Sequence, residues 1–188
     1  MPFPFVICDP VEPPEGCCSR LYEQAVELLT AAANGLNDCH EAGDCCDRTG
    51  MRGYVSLGTV QVWQSDILAV YLETPGFSYS PKSFSGSGMM IGPPGIRALW
   101  RVYLIESGYP GPTELPNQVM IPNDDQLHAA NAHAYAHGEA MLRGVLSSRD
   151  ITSCTDFALR DYVSVGPTVS PVGWSAGWSL GVTMGVKI

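Results

Sequence analysis

A small α+β fold, with two main helices on a mostly antiparallel sheet, is what this sequence predicts. Three observations carry that expectation: two stretches with helical apolar periodicity, several stretches of strand-like alternation, and Gly-, Pro- and Ser-rich punctuation separating them. The 188 residues with 45% apolar content suit a single domain with a sizeable core.

Residues 1–14 contain Pro2, Pro4, Pro10, Pro13 and Pro14, too many for regular secondary structure, and read as an arm that packs on something. Leu21, Ala25, Leu28, Ala32 and Leu36 then recur on one helical face, flanked by Tyr22, Val26, Leu29 and Ala33, while Glu23 and Glu27 fall outside the stripe. That spacing predicts a helix over about 18–36, running out at Asn34-Gly35-Leu36-Asn37, with a loop over 38–53. Residues 53–63 alternate and are rich in Tyr, Val and Trp. They are expected to form a strand, continued by 67–72 or paired with it as a hairpin.

Residues 73–95 (ETPGFSYSPKSFSGSGMMIGPPG) mix Gly, Ser and Pro with aromatics, and read as a long exposed interaction loop. Ile96 to Glu106 is the clearest apolar strand, followed by a proline-rich turn over 108–122. A second helix is expected over 124–147, with Asn123 as N-cap, Asp124 and Asp125 against the helix dipole, and Leu127, Ala130, Ala134, Met141 and Val145 as an interrupted stripe. Residues 162–165 and 179–187 read as a closing hairpin around 166–177.

The formal charge is -9, from 10 basic and 19 acidic residues. This argues against a protein whose task is to grip nucleic acid, since such affinity comes from cations neutralising phosphates. Residues 1–50 hold Asp9, Glu12, Glu15, Glu23, Glu27, Asp38, Glu41, Asp44 and Asp47 against Arg20 and Arg48, and so concentrate the negative charge. The start, MPFPFVICDPVEPP, lacks a signal peptide's basic region and apolar core, and no apolar run is long enough to span a membrane. A protein made in the cytoplasm is expected.

Seven cysteines leave at least one outside any intramolecular disulfide, and a reducing cytosol would keep them all as thiols. Cys39, His40, Cys45 and Cys46 are the candidate metal ligands, with Cys17 and Cys18 close by in sequence. Their spacing does not match the twin CxxC or CxxC…HxxxH zinc modules, so a metal site, late disulfides and free thiols all stay open. His133 and His137 form HxxxH, but Ala134 stands where metalloproteases place the catalytic Glu, and polar helix surface is the expected role. No GxSxG elbow or phosphate-binding glycine loop stands in a suitable context. No catalytic residue, no cofactor and no enzyme activity are therefore expected.

Several local signatures, taken in order, resemble the tail-terminator proteins of long-tailed bacteriophages of high-GC Gram-positive hosts. The segment HEAGDCCDRTGMRGYVSLGTVQVW resembles the Asp-Cys-Cys stretch that opens their first strand. AANAHAYAHGEAMLRGVL stands where they place a second helix, and GIRALWRVYLIESGYP where they have an apolar strand ending in a proline turn. YVSVGPTVSPVGWSAGWSLGVTMGV resembles their closing strand, Gly-Pro turn and Gly-Trp strand. The resemblance covers most of 17–188, with gaps. It departs at Glu106-Ser107-Gly108, where an Arg-Cys is expected, and at Ser175-Ala176, where a cysteine often stands. No disulfide pattern is carried over.

The resemblance implies a homohexameric ring at the head-proximal end of the tail tube, in the neck of the virion and assembled in the host cytoplasm. Such a ring stops tube polymerisation, joins the tail to a head connector or stopper protein, and lets genomic DNA pass without specific binding. Its partners would be itself, the tail tube protein and the connector, with no membrane. Acidic walls suit a DNA conduit, and a closed ring of heterologous contacts suits reaching arms and loops. Expected interface residues are the arm, Phe77, Tyr79, Phe84, Met89 and Met90 of the long loop, and Trp174 and Trp178. Alternatives are another neck protein, such as a head completion or connector subunit, a small Cys-rich metal-binding protein, or a recognition module using Tyr, Trp and Gly loops for carbohydrate.

Overall fold

The computed structural model describes residues 5–7, 20–43, 51–56, 66–80, 83–84, 90–91, 95–115, 118–154, 157–170 and 173–186. In chain order its elements are β1 (Phe5–Ile7), α1 (Arg20–Glu41), β2 (Met51–Ser56), β3 (Ile67–Ser80), β4 (Ser83–Phe84), β5 (Met90–Ile91), β6 (Gly95–Ser107), β7 (Thr113–Leu115), β8 (Gln118–Met120), α2 (Asp124–Ser147), α3 (Arg149–Thr152), β9 (Ala158–Ser170) and β10 (Gly173–Val186). Six strands form one mixed sheet in the order β1-β2-β3-β6-β10-β9, while β4-β5 and β7-β8 make two small two-stranded sheets. The expected α+β class with two main helices holds.

The pairs β3-β6, β6-β10 and β10-β9 are antiparallel, and β1-β2 and β2-β3 are parallel. The hairpin expected between residues 53–63 and 67–72 is therefore incorrect. A tight turn can join only antiparallel neighbours, and here Arg52 to Ser56 pair in parallel with Ile67 to Tyr71. Residues 57–65 lie outside the described residues. Within the arm, Phe5–Ile7 adds a short parallel strand to β2, so its prolines do not exclude a strand between them.

Strand alternation sends Leu68, Val70, Val102, Leu104, Leu180, Val182 and Met184 to the face covered by the helices, where they join Leu28, Leu36, Met141, Val145 and Ile151 in the core. Full burial of such a side chain is worth about 1.5–3 kcal/mol, so this layer dominates stability. On α2 the fully buried positions Met141, Gly144 and Val145 fall in the second half, and the first half leans over the sheet end. Asn123 caps the helix as expected: its side chain accepts from the Gln126 backbone N–H, and the Gln126 side chain accepts from the Asn123 N–H.

Helix α1 runs five residues past the expected stop at Leu36, to Glu41. Gly35 is a packing residue here: a Cβ built on it would lie 2.2 Å from the Ala140 carbonyl oxygen and 2.7 Å from Gly144 Cα. The glycines let two helix backbones touch, and tertiary contact overrides local stop chemistry.

The expected loop over 73–95 is also incorrect in its first and last parts. Strand β3 continues to Ser80, and Phe77 to Ser80 pair with Ala98 to Gly95 of β6. The β4-β5 pair stands in the same hairpin, so the segment is a long β-hairpin. A register shift between Leu72 and Phe77, with Gly76 at φ 81°, accommodates Thr74-Pro75 within the strand. The closing hairpin is longer than expected as well, since β9 and β10 pair from Ser170 and Gly173 back to Ala158 and Thr183. Sequence punctuation suggested a loop over 166–177; pairing with both neighbours keeps Gly177 in strand, and pairing with β9 keeps Trp174 there. The turn expected over 108–122 contains the β7-β8 hairpin.

Candidate assembly surface and the joint beneath it

Beneath the middle of α2 lies a buried polar pair. Residues Trp100, Val102 and Leu104 alternate onto the helix-covered face, and Glu106 follows in the same phase. On α2, His137 precedes Met141 and Val145 by one and two helical turns, which places it on the buried stripe. The two meet with His137 Nδ1 2.5 Å from Glu106 Oε1, and both side chains are 6% exposed. The carboxylate accepts from the imidazole N–H. His137 was expected on polar helix surface; it is buried because its carboxylate partner rises from β6. Its HxxxH mate, His133, lines a small cleft with Glu106, Ser107 and Tyr109, and His128 is exposed.

Sequence reasoning did not pair Glu106 with His137, yet each stood at an apolar phase of its own element. A charged residue in a buried register was the available signal.

Beside the pair, Trp178 of β10 is clamped inside the molecule. Its indole stacks on Tyr162 with centroids 4.6 Å apart and planes 10° apart, meets Tyr135 edge-on at 5.2 Å, and donates from Nε1 to the Ala134 carbonyl at 2.6 Å. Gly138 makes the slot, because a Cβ there would lie 2.3 Å from the Tyr162 hydroxyl and 2.5 Å from the indole. The Tyr162 hydroxyl is buried with no hydrogen-bond partner among the described residues. Burial first, then the nearby Glu139 and Tyr135, pushes its pKa well above the usual phenol value. An unmet buried hydroxyl costs about 1 kcal/mol or more. Tyr162→Phe is therefore expected to raise stability by about 1 kcal/mol, read as a higher urea midpoint at unchanged m-value.

The opposite face of the sheet carries an ion network. Arg101 of β6 binds Glu73 of β3 and Asp161 of β9 and donates to Ser179 Oγ at 3.1 Å, while Arg160 binds the second oxygen of Glu73. Burial alone would lower the Arg101 pKa, but the hydrogen bonds it donates to Glu73 and Asp161 outweigh it and the net shift is upward. The network ties the start of the long hairpin to β9, across the width of four strands.

The remaining expected interface residues are scattered. Phe77 is 43% exposed on β3. Tyr79, Phe84 and Met90 lie in strands whose backbone is described, and Met89 lies outside the described residues. Trp174 packs over Gly111 and donates from Nε1 to the Pro112 carbonyl at 3.2 Å. The edge of the sheet adds what sequence reasoning missed: β9 ends the sheet and leaves Leu159 41%, Val163 49% and Val169 68% exposed.

Of the candidate metal ligands, Cys39 is disulfide-bonded and His40 is half-buried at the end of α1. Cys45 and Cys46 lie outside the described residues. Cys154 Sγ donates to the Asp150 carbonyl at 3.1 Å. Of the alternatives left open for the cysteines, Cys39 takes the disulfide. Among the described residues, no group of three or more His, Cys, Asp or Glu is placed to hold a metal ion, and no helix is long and apolar enough to cross a membrane.

Comparison with protein-family models finds no match to this chain, and comparison with curated proteins finds none either.

Proposed function

We propose that this chain is a structural virion subunit that assembles with copies of itself into a ring, and that it is the tail terminator of a long-tailed bacteriophage. The observation that carries self-assembly is the β9 edge. A 13-residue strand ends the six-stranded sheet with three large aliphatic side chains in solvent. Long apolar edge strands invite pairing or packing by another chain. The terminator role itself rests on the resemblance of the ordered sequence signatures to that family. The net charge of -9 suits a lumen that DNA passes without adhering.

Native mass spectrometry and negative-stain imaging at several concentrations, with and without isolated tail tubes, test this reading. Rings, or a monomer that assembles at tube ends and halts their growth, are expected. A monomer that ignores tube ends at every concentration would sink the proposal. Val163→Lys places a charge on the edge, away from the helices and at a half-exposed position. It is expected to raise the concentration needed for assembly by about tenfold, with the melting temperature of the monomer unchanged.

A further inference from the structure

At the end of the sheet where β6 finishes and β10 begins, a groove of about 410 Å³ opens between the β6-β7 connection and the start of α2. Its walls include Tyr109, Pro110, Met120, Ile121, Pro122 and Trp174, and none of the residues lining it is charged. Met120 is 54% and Ile121 77% exposed, an unusual display for large aliphatic side chains beside two aromatic rings. Grooves walled by aromatic and proline side chains suit polyproline II segments, whose extended form is already ordered before binding.

The chain carries such a segment. Residues 9–15 read Asp-Pro-Val-Glu-Pro-Pro-Glu. At three residues per turn, the polyproline II period, Asp9, Glu12 and Glu15 fall on one edge, Pro10 and Pro13 on a second, and Val11 and Pro14 on the third. Two apolar edges are thus free to enter an uncharged groove while the acidic edge faces water.

Its tether to α1 keeps the Pro13-Pro14 end of the segment from the groove of its own chain. Pro14 stands six residues before Arg20, a reach of about 20 Å at full extension. Helix α1 is anchored by Gln24, whose side-chain amide donates to the Gly185 carbonyl at 2.8 Å. Gly185 lies at the far end of β10 from Gly173, which lines the groove, so at strand rise the two ends are roughly 40 Å apart.

We infer that this groove receives the proline-rich segment 9–15 of a second copy of the chain. The inference rests on the self-assembly reading above and deepens it, since it names the contact. An arm on one face entering a groove on another is heterologous, the kind of contact that closes rings.

A photo-crosslinking amino acid at position 121, exposed enough to leave the fold intact, tests this in the full chain. It is introduced into an isotopically heavy copy, mixed with an unlabelled copy of natural sequence, irradiated after native mass spectrometry, and mapped by peptide mass. Heavy-to-light crosslinks into residues 8–19 are the expected result. An assembled chain whose position 121 crosslinks elsewhere, within its own copy or not at all overturns the inference and leaves self-assembly standing. A chain that stays monomeric at every concentration overturns both. In the assembled case, Ile121→Asp is further expected to weaken association at least tenfold, and association unchanged by that substitution would overturn the groove contact.

Discussion

Glu106→Ala is expected to lower the stability of the fold by about 3 kcal/mol, the cost of leaving a buried polar group without its hydrogen-bond partner. Glu106 and His137 are each 6% exposed and 2.5 Å apart, so water cannot readily replace the lost contact. In a domain of this size that loss lowers the melting temperature by roughly 10 °C, and urea denaturation with an unchanged m-value is the direct measurement. His137→Ala is expected to cost about as much, because the orphaned carboxylate is the more expensive group to strand.

The informative comparison is the double replacement Glu106→Leu with His137→Leu. Well-packed apolar residues remove both desolvation penalties together, and they are expected to recover most of the loss. A double variant as unstable as the sum of the singles would show that the pair's environment requires polarity. An Ala variant within about 1 kcal/mol of the natural chain would show that the pair is open to solvent.

The second large effect is expected at the crossing of α1 and α2. Gly144→Ala improves intrinsic helix propensity by about 1 kcal/mol, and on an exposed helix it would stabilise. Here the added Cβ would lie 2.3 Å from the Ala31 carbonyl oxygen and 2.8 Å from Gly35 Cα. Both obstacles are backbone atoms, so no rotamer change relieves them and the helices must separate. Overpacking of that kind costs about 3 kcal/mol or more, which exceeds the propensity gain, and the net result is a loss of at least about 2 kcal/mol. Gly35→Ala meets the Ala140 carbonyl oxygen at 2.2 Å and is expected to cost a similar amount. The two substitutions together are expected to cost less than their sum, because the first already moves the helices apart. Thermal denaturation of the singles and the double measures this, and an additive or stabilising outcome would refute close backbone contact at the crossing.

Much of the fold was legible before the structure, and the misses share a cause. Helix α2 was read with its bounds and its cap, because Asn123, Asp124, Asp125 and Gln126 act within one turn and need nothing distant. Strand β6 was read for the same reason: its apolar run is long and bounded by glycines at 95 and 108. The end of α1 was misread because Gly35 has two uses, helix stop and helix contact, and only the arrival of Gly144 decides between them. The hairpin read for β2 and β3 became a parallel pair because strand partners are chosen by the whole sheet. The length of β3 and of β9 was underestimated because Gly, Ser and Pro were read as breaks, where pairing with one long neighbouring strand, helped by bulges, carries them.

The same division runs through the candidate site. The arm's prolines, the aromatic residues of the closing strands and the concentration of acid in residues 1–50 were on the page as sequence. By itself the sequence determined the helix caps, the apolar phases, the net charge and the α+β class, all properties set by neighbours a few residues apart. Tertiary structure alone decided that Trp178 is clamped by Tyr162 and Tyr135, that Glu106 meets His137 across 31 residues of chain, and that β9 stands at an edge of the sheet. Those outcomes depend on which distant surfaces meet, and burial and desolvation act only once they have met.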